Sequence, residues 1–380
     1  MTNSFENFLS NELKTIQKQN LFRQLHSRDE KPYHNFSSND YLGLNRHPAL
    51  KEAAIRALKD YGLGTGASRL ICGHFKIHQQ LEEALAQFKK TEAALTFSSG
   101  YATAVGAIPS LVGKEDVIIL DKLCHACLID AAKQSQAKLR IFKHNHLEQL
   151  ESHLKWAQSH KKEKKSKILI ITEAVFSMDG DWAPLKEIVS LKEKYGAWLF
   201  VDEAHSTGIF GKTRAGLCQH LDVSARVEIQ MGTLSKAIGV SGGYIAGSQS
   251  LINFLINRAR SFIFSTAVPA VNASATLASI RLITSEEGKQ RSETLWQRVN
   301  QLKQALSNHA LGQSPIFPII LGDSEKALVA AKNLKTKGFW IPAIRYPTVP
   351  KNQARLRVTL SANHSEQNIT ELIDALKKII

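Results

Sequence analysis

From Ala93 onward, short apolar runs alternate with longer stretches of helical spacing. The runs are Ala93–Phe97, Val117–Leu120, Leu139–Phe142, Ile168–Thr172, Ala197–Val201, Val227–Met231 and Tyr244–Ala246. Apolar runs this short, bounded by polar residues, read as buried strands. Their alternation with helices predicts an α/β fold: a mostly parallel, seven-stranded sheet wrapped by helices, with ligands at the carboxyl ends of the strands.

The flanks differ in character. Residues 5, 8, 9, 13, 16, 21, 22 and 25 are apolar in an otherwise polar stretch, which predicts a helix over Phe5–Leu25. A short strand at Tyr33–Phe36 follows. Pro48 suits the first turn of a helix running to about Tyr61, and a helical pattern resumes over His74–Lys89. Between them, Gly62, Gly64 and Gly66 read as a bend, because no strand precedes them as a dinucleotide loop would require. Past Pro269 come helices to about Thr284 and from Glu286 to Leu306. Then follow a strand at Ile316–Ile320, a helix at Ser324–Lys337, a strand at Arg355–Leu360 and a helix at Glu366–Ile380. The pattern predicts a large domain over residues 46–270 and a smaller α+β domain over 271–380. The amino-terminal helix and strand, 1–45, are expected to pack with the small one.

Among its 380 residues, 43% are apolar and 22% charged, an ordinary soluble composition. No apolar run is long enough to span a membrane and Met1–Ser4 is polar, so a cytoplasmic protein is expected. The net charge of +15 admits polyanionic partners such as nucleic acid, coenzyme A or an acidic carrier protein. The densest basic run, His160–Lys167, reads as a solvated loop. Cys124 and Cys127 form a C-x-x-C, but there is no second pair for a zinc site, and His144 and His146 are candidates only by proximity. Free thiols and no metal are expected.

Candidate chemistry gathers at the predicted strand ends. Asp202-Glu203-Ala204-His205 spells the acidic box of nucleic-acid helicases, and Gly211-Lys212-Thr213 resembles the end of a phosphate loop. The loop lacks its first glycine, since position 206 is serine, and it follows the box instead of preceding it. The helicase reading fails on both counts. Asp202 and His205 end one strand, while Thr233 and Lys236 end another. An acid, a histidine, a hydroxyl and a lysine in such places meet the needs of pyridoxal phosphate: a Schiff-base amine and a carboxylate for the pyridine nitrogen. Ser98-Ser99-Gly100-Tyr101 opens a helix whose free amides suit a phosphate. His125 can stack on a flat ring, and Glu173 to Gly180 supplies an acid and the Ser177 hydroxyl. Near the carboxyl terminus, strand alternation sends Arg355 and Arg357 to one face, where either can hold a carboxylate or remain a surface cation.

These residues carry a family resemblance. Asn35 to Gly43, EAVFSMDG at 173–180, DEAHSTG at 202–208 and TLSK at 233–236 resemble the α-oxoamine synthases, pyridoxal-phosphate enzymes of transferase fold type I. AIRYPTVP at 343–350 and ARLRVTL at 354–360 resemble the branch that condenses L-alanine with a pimeloyl thioester, carried by coenzyme A or acyl carrier protein. The resemblance implies that Lys236 is the Schiff-base lysine, that Asp202 meets the pyridine nitrogen, that His205 meets the ring hydroxyl and that His125 stacks on the ring. It implies that Gly100, Tyr101, Glu173, Ser177 and Thr233 surround the cofactor. It also implies that Arg23, Asn39, His125, Thr348 and Arg357 contact substrate, and that Ser265 and Thr266 reach a neighbour's phosphate in a homodimer. Cys124 and Cys127 depart from it, since serine is usual on either side of the histidine. Glycine- or serine-using relatives are the near alternative; a nucleic-acid-binding protein is the alternative from another class.

Overall fold

A computed structural model of the chain describes residues 4–19, 21–25, 33–160, 166–306 and 312–379. The basic residues 161–165 lie outside this set. Two compact units emerge, one of Asn39–Ser177 and Asp181–Leu295, the other of Met1–Ser38, Met178–Gly180 and Trp296–Ile380.

The larger unit holds a seven-stranded sheet, ordered Ala93–Phe97, Gly243–Gly247, Ile229–Thr233, Trp198–Asp202, Ile168–Glu173, Val117–Asp121, Lys138–Phe142. Only Gly243–Gly247 runs antiparallel to its neighbours. The central strands are buried along nearly their whole length, which is why they read as unbroken apolar runs. Each of the seven expected strands is present: Ala93–Phe97 has the expected bounds, and the others differ by one or two residues at one or both ends. Val227 is not in a strand, because Ser224–Arg226 forms a 3-10 turn that delays the strand to Ile229.

The helix Ala270–Thr284 belongs to the larger unit, where it packs on Pro48–Tyr61 and Lys76–Lys89. The units therefore divide near residues 38 and 295, whereas composition had placed the changes at 45 and 270. A helix apolar on nearly all sides goes where it can bury all of them, and Ala270–Thr284 buries nine residues. Gly62 and Gly66 both have positive φ, as the bend requires.

In the smaller unit, Ile316–Gly322 and Ala343–Ile344 flank Ala354–Thr359 in an antiparallel sheet, and His34–Asn35 pairs parallel with Phe339–Trp340. The amino-terminal helix stops at Lys18, short of the expected Leu25. Its apolar series breaks after Ile16, because the next helical positions, Gln19 and Asn20, are polar. It buries none of its side chains, so the amino-terminal element that packs here is the strand. No helix among the described residues is long and apolar enough to cross a membrane.

Candidate active site

Parallel pairing sets the carboxyl ends of three strands side by side. Glu173 and Asp202 face each other in register, and Asp202 in turn faces Met231 on the strand that ends at Thr233. Two buried carboxyls thus lie adjacent. Burial raises the pKa of Asp202, against the pull of the Lys236 charge and of an N–H bond from Ala204 at 2.9 Å. Burial and the neighbouring Asp202 push Glu173 further, to about 8. Burial and the Asp202 charge thus favour the proton on Glu173, while the Lys236 charge and the Ala204 N–H favour the carboxylate form of Asp202.

His125 caps the helix Ala126–Gln134, and its own N–H donates to Glu173 Oε1 at 2.5 Å. The backbone N–H of Cys127 donates to His125 Nδ1 at 3.2 Å, with Cys127 Sγ at 3.0 Å from the same nitrogen. Nδ1 is therefore a lone-pair acceptor. Burial and the Lys236 charge lower the His125 pKa, so the imidazole is neutral with its proton on Nε2. Cys124 and Cys127 are buried free thiols, held protonated by burial.

His205 is held on both ring nitrogens. Lys236 Nζ lies 2.7 Å from Nε2, and the Tyr41 hydroxyl lies 2.6 Å from Nδ1. Tyr41 OH also reaches Asn39 Oδ1 at 3.4 Å. Thr233 Oγ1 donates to Gly242 O at 2.9 Å and pairs with Ser235 Oγ at 2.8 Å. A Cβ on Gly100 would come within 3.6 Å of Thr233, so the first turn of the helix Gly100–Leu111 lies against that hydroxyl. Ser177 is buried. Tyr101 keeps its ring half in solvent and donates its hydroxyl to Asp130 at 2.7 Å.

The remaining candidates lie in the smaller unit. Arg23 and Thr348 line one cavity of about 680 Å³ together with Leu21, Phe22, Trp340 and Tyr346. Arg355 and Arg357 are both buried, which removes the surface-cation reading for either. Arg355 is committed to Asp179 at 2.7 Å and to Met178 O. Arg357 donates to Thr359 Oγ1 at 2.9 Å. The ion pair to Asp179 accounts for Arg355, which sets its role apart from that of Arg357.

Reading the sequence had missed the support beneath the site. Lys89 and Glu203 form an ion pair with almost no solvent exposure. Lys89 also donates to Ala215 O at 2.5 Å, and Glu203 accepts from Ser206 Oγ and the Cys218 N–H. Burial works against the Lys89 charge, but Glu203, with Tyr244 and Cys218, outweighs it and the pKa ends raised. Glu203 sat in the motif between Asp202 and Ala204; a carboxylate following a buried run was the available signal.

The larger unit's residues fit pyridoxal phosphate. A helix amino terminus beside Thr233 suits the phosphate, Lys236 the aldehyde, Asp202 a protonated ring nitrogen, His205 the ring hydroxyl and His125 the ring face. The match to known proteins agrees with that fit. Residues 31–376 match the family model for aminotransferase class I and II, and the chain belongs to that family. The chain is 41% identical to the 8-amino-7-oxononanoate synthase of Thermoanaerobacter pseudethanolicus, over 98% of its own length and 96% of the relative's. It is 43% identical to that of Geobacter sulfurreducens, over 90% and 87%. Within the class, the chain belongs to the 8-amino-7-oxononanoate synthase family. Among solved structures, a serine palmitoyltransferase from S. paucimobilis with bound PLP superposes at a TM-score of 0.90 and 27% identity, covering 100% of this chain and 98% of the other. The 8-amino-7-oxononanoate synthase of Francisella tularensis superposes at 0.78 with 28% identity, covering 92% and 98%.

Proposed function

We propose that this chain condenses L-alanine with a pimeloyl thioester, releasing carbon dioxide and the thiol carrier and forming 8-amino-7-oxononanoate. One observation carries the reading: the Lys236 amine is held by His205 beside the buried carboxylate of Asp202. The relatives of 41% and 43% identity support the choice of substrates. Pyridoxal phosphate, when bound, supplies the aldehyde for Lys236 and a protonated ring that takes up the electron pair left at Cα.

The chain's own residues then divide the work. Asp202, ionised, holds the proton on the ring nitrogen, because a buried carboxylate is stable only with a cation against it. Lys236 Nζ takes the Cα proton of alanine, and His205 keeps that amine in place. His125, neutral, offers only its Nε2–H, so it acts there as a hydrogen-bond donor. Glu173 stays protonated next to Asp202, which leaves one negative charge for one ring. Gly100, Tyr101, Ser177 and Thr233 surround the phosphate or the ring in this reading. On the same reading Arg357 takes the alanine carboxylate, and Arg23, Asn39 and Thr348 contact substrate.

Lys236→Ala tests the assignment: visible absorbance of the loaded protein and turnover should vanish together, and retained turnover would rule it out. The 0.90 superposition on a serine palmitoyltransferase favours a second substrate pair. Thiol release should be fastest with alanine plus pimeloyl thioester. Faster release with serine plus palmitoyl thioester, or with glycine plus acetyl thioester, would replace the proposal with that relative's chemistry. Pimeloyl-coenzyme A and pimeloyl-carrier protein, compared at steady state, decide the donor.

The functional unit is a homodimer in this reading, working in the cytosol. Leu63, Ile71 and Phe264 are 75%, 78% and 70% exposed, on segments that the Ser68–Thr266 bridge draws together. An apolar patch of this kind calls for a covering surface. In such a dimer, the reading assigns Ser265 and Thr266, on the same segment, to the neighbour's phosphate.

A further inference from the structure

The Tyr41 hydroxyl takes no part in the reaction above, yet it makes one of the shortest side-chain bonds of the site. Tyr41 has no solvent exposure, and its oxygen lies 2.6 Å from His205 Nδ1 while Lys236 Nζ lies 2.7 Å from Nε2. We infer that Tyr41 is a positioning residue that keeps His205 aimed at Lys236 in either tautomer. The inference rests on Lys236 being the reacting amine.

The argument is one of donor and acceptor capacity. A neutral imidazole has one N–H and one lone pair, and which nitrogen has which is set by its partners. An ammonium on Lys236 donates to Nε2. His205 then carries its proton on Nδ1, which donates to the Tyr41 oxygen, while the Tyr41 O–H turns toward Asn39 Oδ1 at 3.4 Å. A Lys236 nitrogen that presents a lone pair instead calls for a proton on Nε2. Nδ1 is then an acceptor, and the Tyr41 O–H turns to it. A hydroxyl can do both, because it donates and accepts and its hydrogen rotates. A backbone N–H or a carbonyl can do only one.

The other histidine of the site makes the contrast. His125 Nδ1 faces the backbone N–H of Cys127, a donor only, and is confined to one tautomer. The same chain thus holds one imidazole fixed and leaves the other adaptable. The adaptable one touches the lysine. Asp202, Glu173, His125 and Cys127 also feel the Lys236 charge, while the Tyr41 oxygen is the group set against His205 Nδ1.

The test uses 15N-histidine NMR of the protein before cofactor is added, where the Lys236 amine meets His205, and kcat of the loaded enzyme, both for Tyr41→Phe, with His205→Gln to assign the resonances. In the natural protein the two His205 nitrogen shifts should lie between the protonated and lone-pair limits and move with pH. In Tyr41→Phe they should collapse to one tautomer. kcat should then fall about tenfold or more, with KM for alanine within about twofold. Unchanged nitrogen shifts and an unchanged kcat would overturn the proposal, while Lys236→Ala separately judges the underlying reading. If the phenylalanine variant does not fold, the natural protein's spectrum decides alone: a single fixed tautomer at every pH also overturns it.

Discussion

Asp202 and Glu173 show how a residue's role depends on its neighbour. Both are acids at the ends of adjacent strands, and both are buried. Two charges there repel each other in a site with little solvent, so burial and the neighbouring charge raise Glu173 while the Lys236 charge works for the carboxylate of Asp202. Two predictions belong at this scale. Asp202→Asn should fold and lower kcat by about 100-fold or more, measured at saturating substrates, because the ring nitrogen loses its fixed counter-charge. Glu173 gives a pH prediction for the cofactor-free protein. Its folded pKa of about 8 stands above the ordinary 4.5, so the folded state binds more protons between those values. Stability should therefore fall as pH rises through that window, by up to about 1.4 kcal/mol per pH unit. Urea unfolding at pH 5 and pH 8 measures it, and Glu173→Gln should flatten the difference.

At the scale of elements, the turn from Glu203 to Gly208 carries His205 and is anchored from below. The Lys89–Glu203 pair ties the helix Lys76–Lys89 to that turn, and the Thr207 hydroxyl meets Tyr244 at 2.8 Å. Gly216 leaves room for Glu203, since a Cβ there would overlap its carboxylate. Glu203→Gln should cost about 3–5 kcal/mol in urea unfolding, because it leaves a buried ammonium unpaired. The double change Lys89→Met with Glu203→Leu should recover most of that loss. An unaltered single variant would mean that water reaches the pair. The strands and their ends were legible in the sequence because a buried parallel strand shows as an apolar run. The pair was not, since residues 114 positions apart show no pattern in common. The helix Ala270–Thr284 was legible as a helix, but its partners were not.

For the whole molecule, the exposed apolar side chains at Leu63, Leu70, Ile71 and Phe264 predict a second copy. A stable interface buries about 800 Å² on each partner. Leu70→Glu with Ile71→Glu should convert a dimer to a monomer in sedimentation velocity and reduce turnover with it. A natural protein that sediments as a monomer would remove both the dimer and the shared phosphate site.

The sequence by itself determined the α/β class, the strands and the lysine, acid and histidines at their ends, because burial and backbone period leave marks that are local in the chain. Tertiary structure decided which acid keeps its proton, which arginine is spent on Asp179, and that Tyr41 and Lys89 support the site at all. Those outcomes depend on distances of a few ångströms between segments far apart in sequence, and electrostatic and hydrogen-bond energies respond to those distances, to angle and to burial, none of which is written in spacing along the chain.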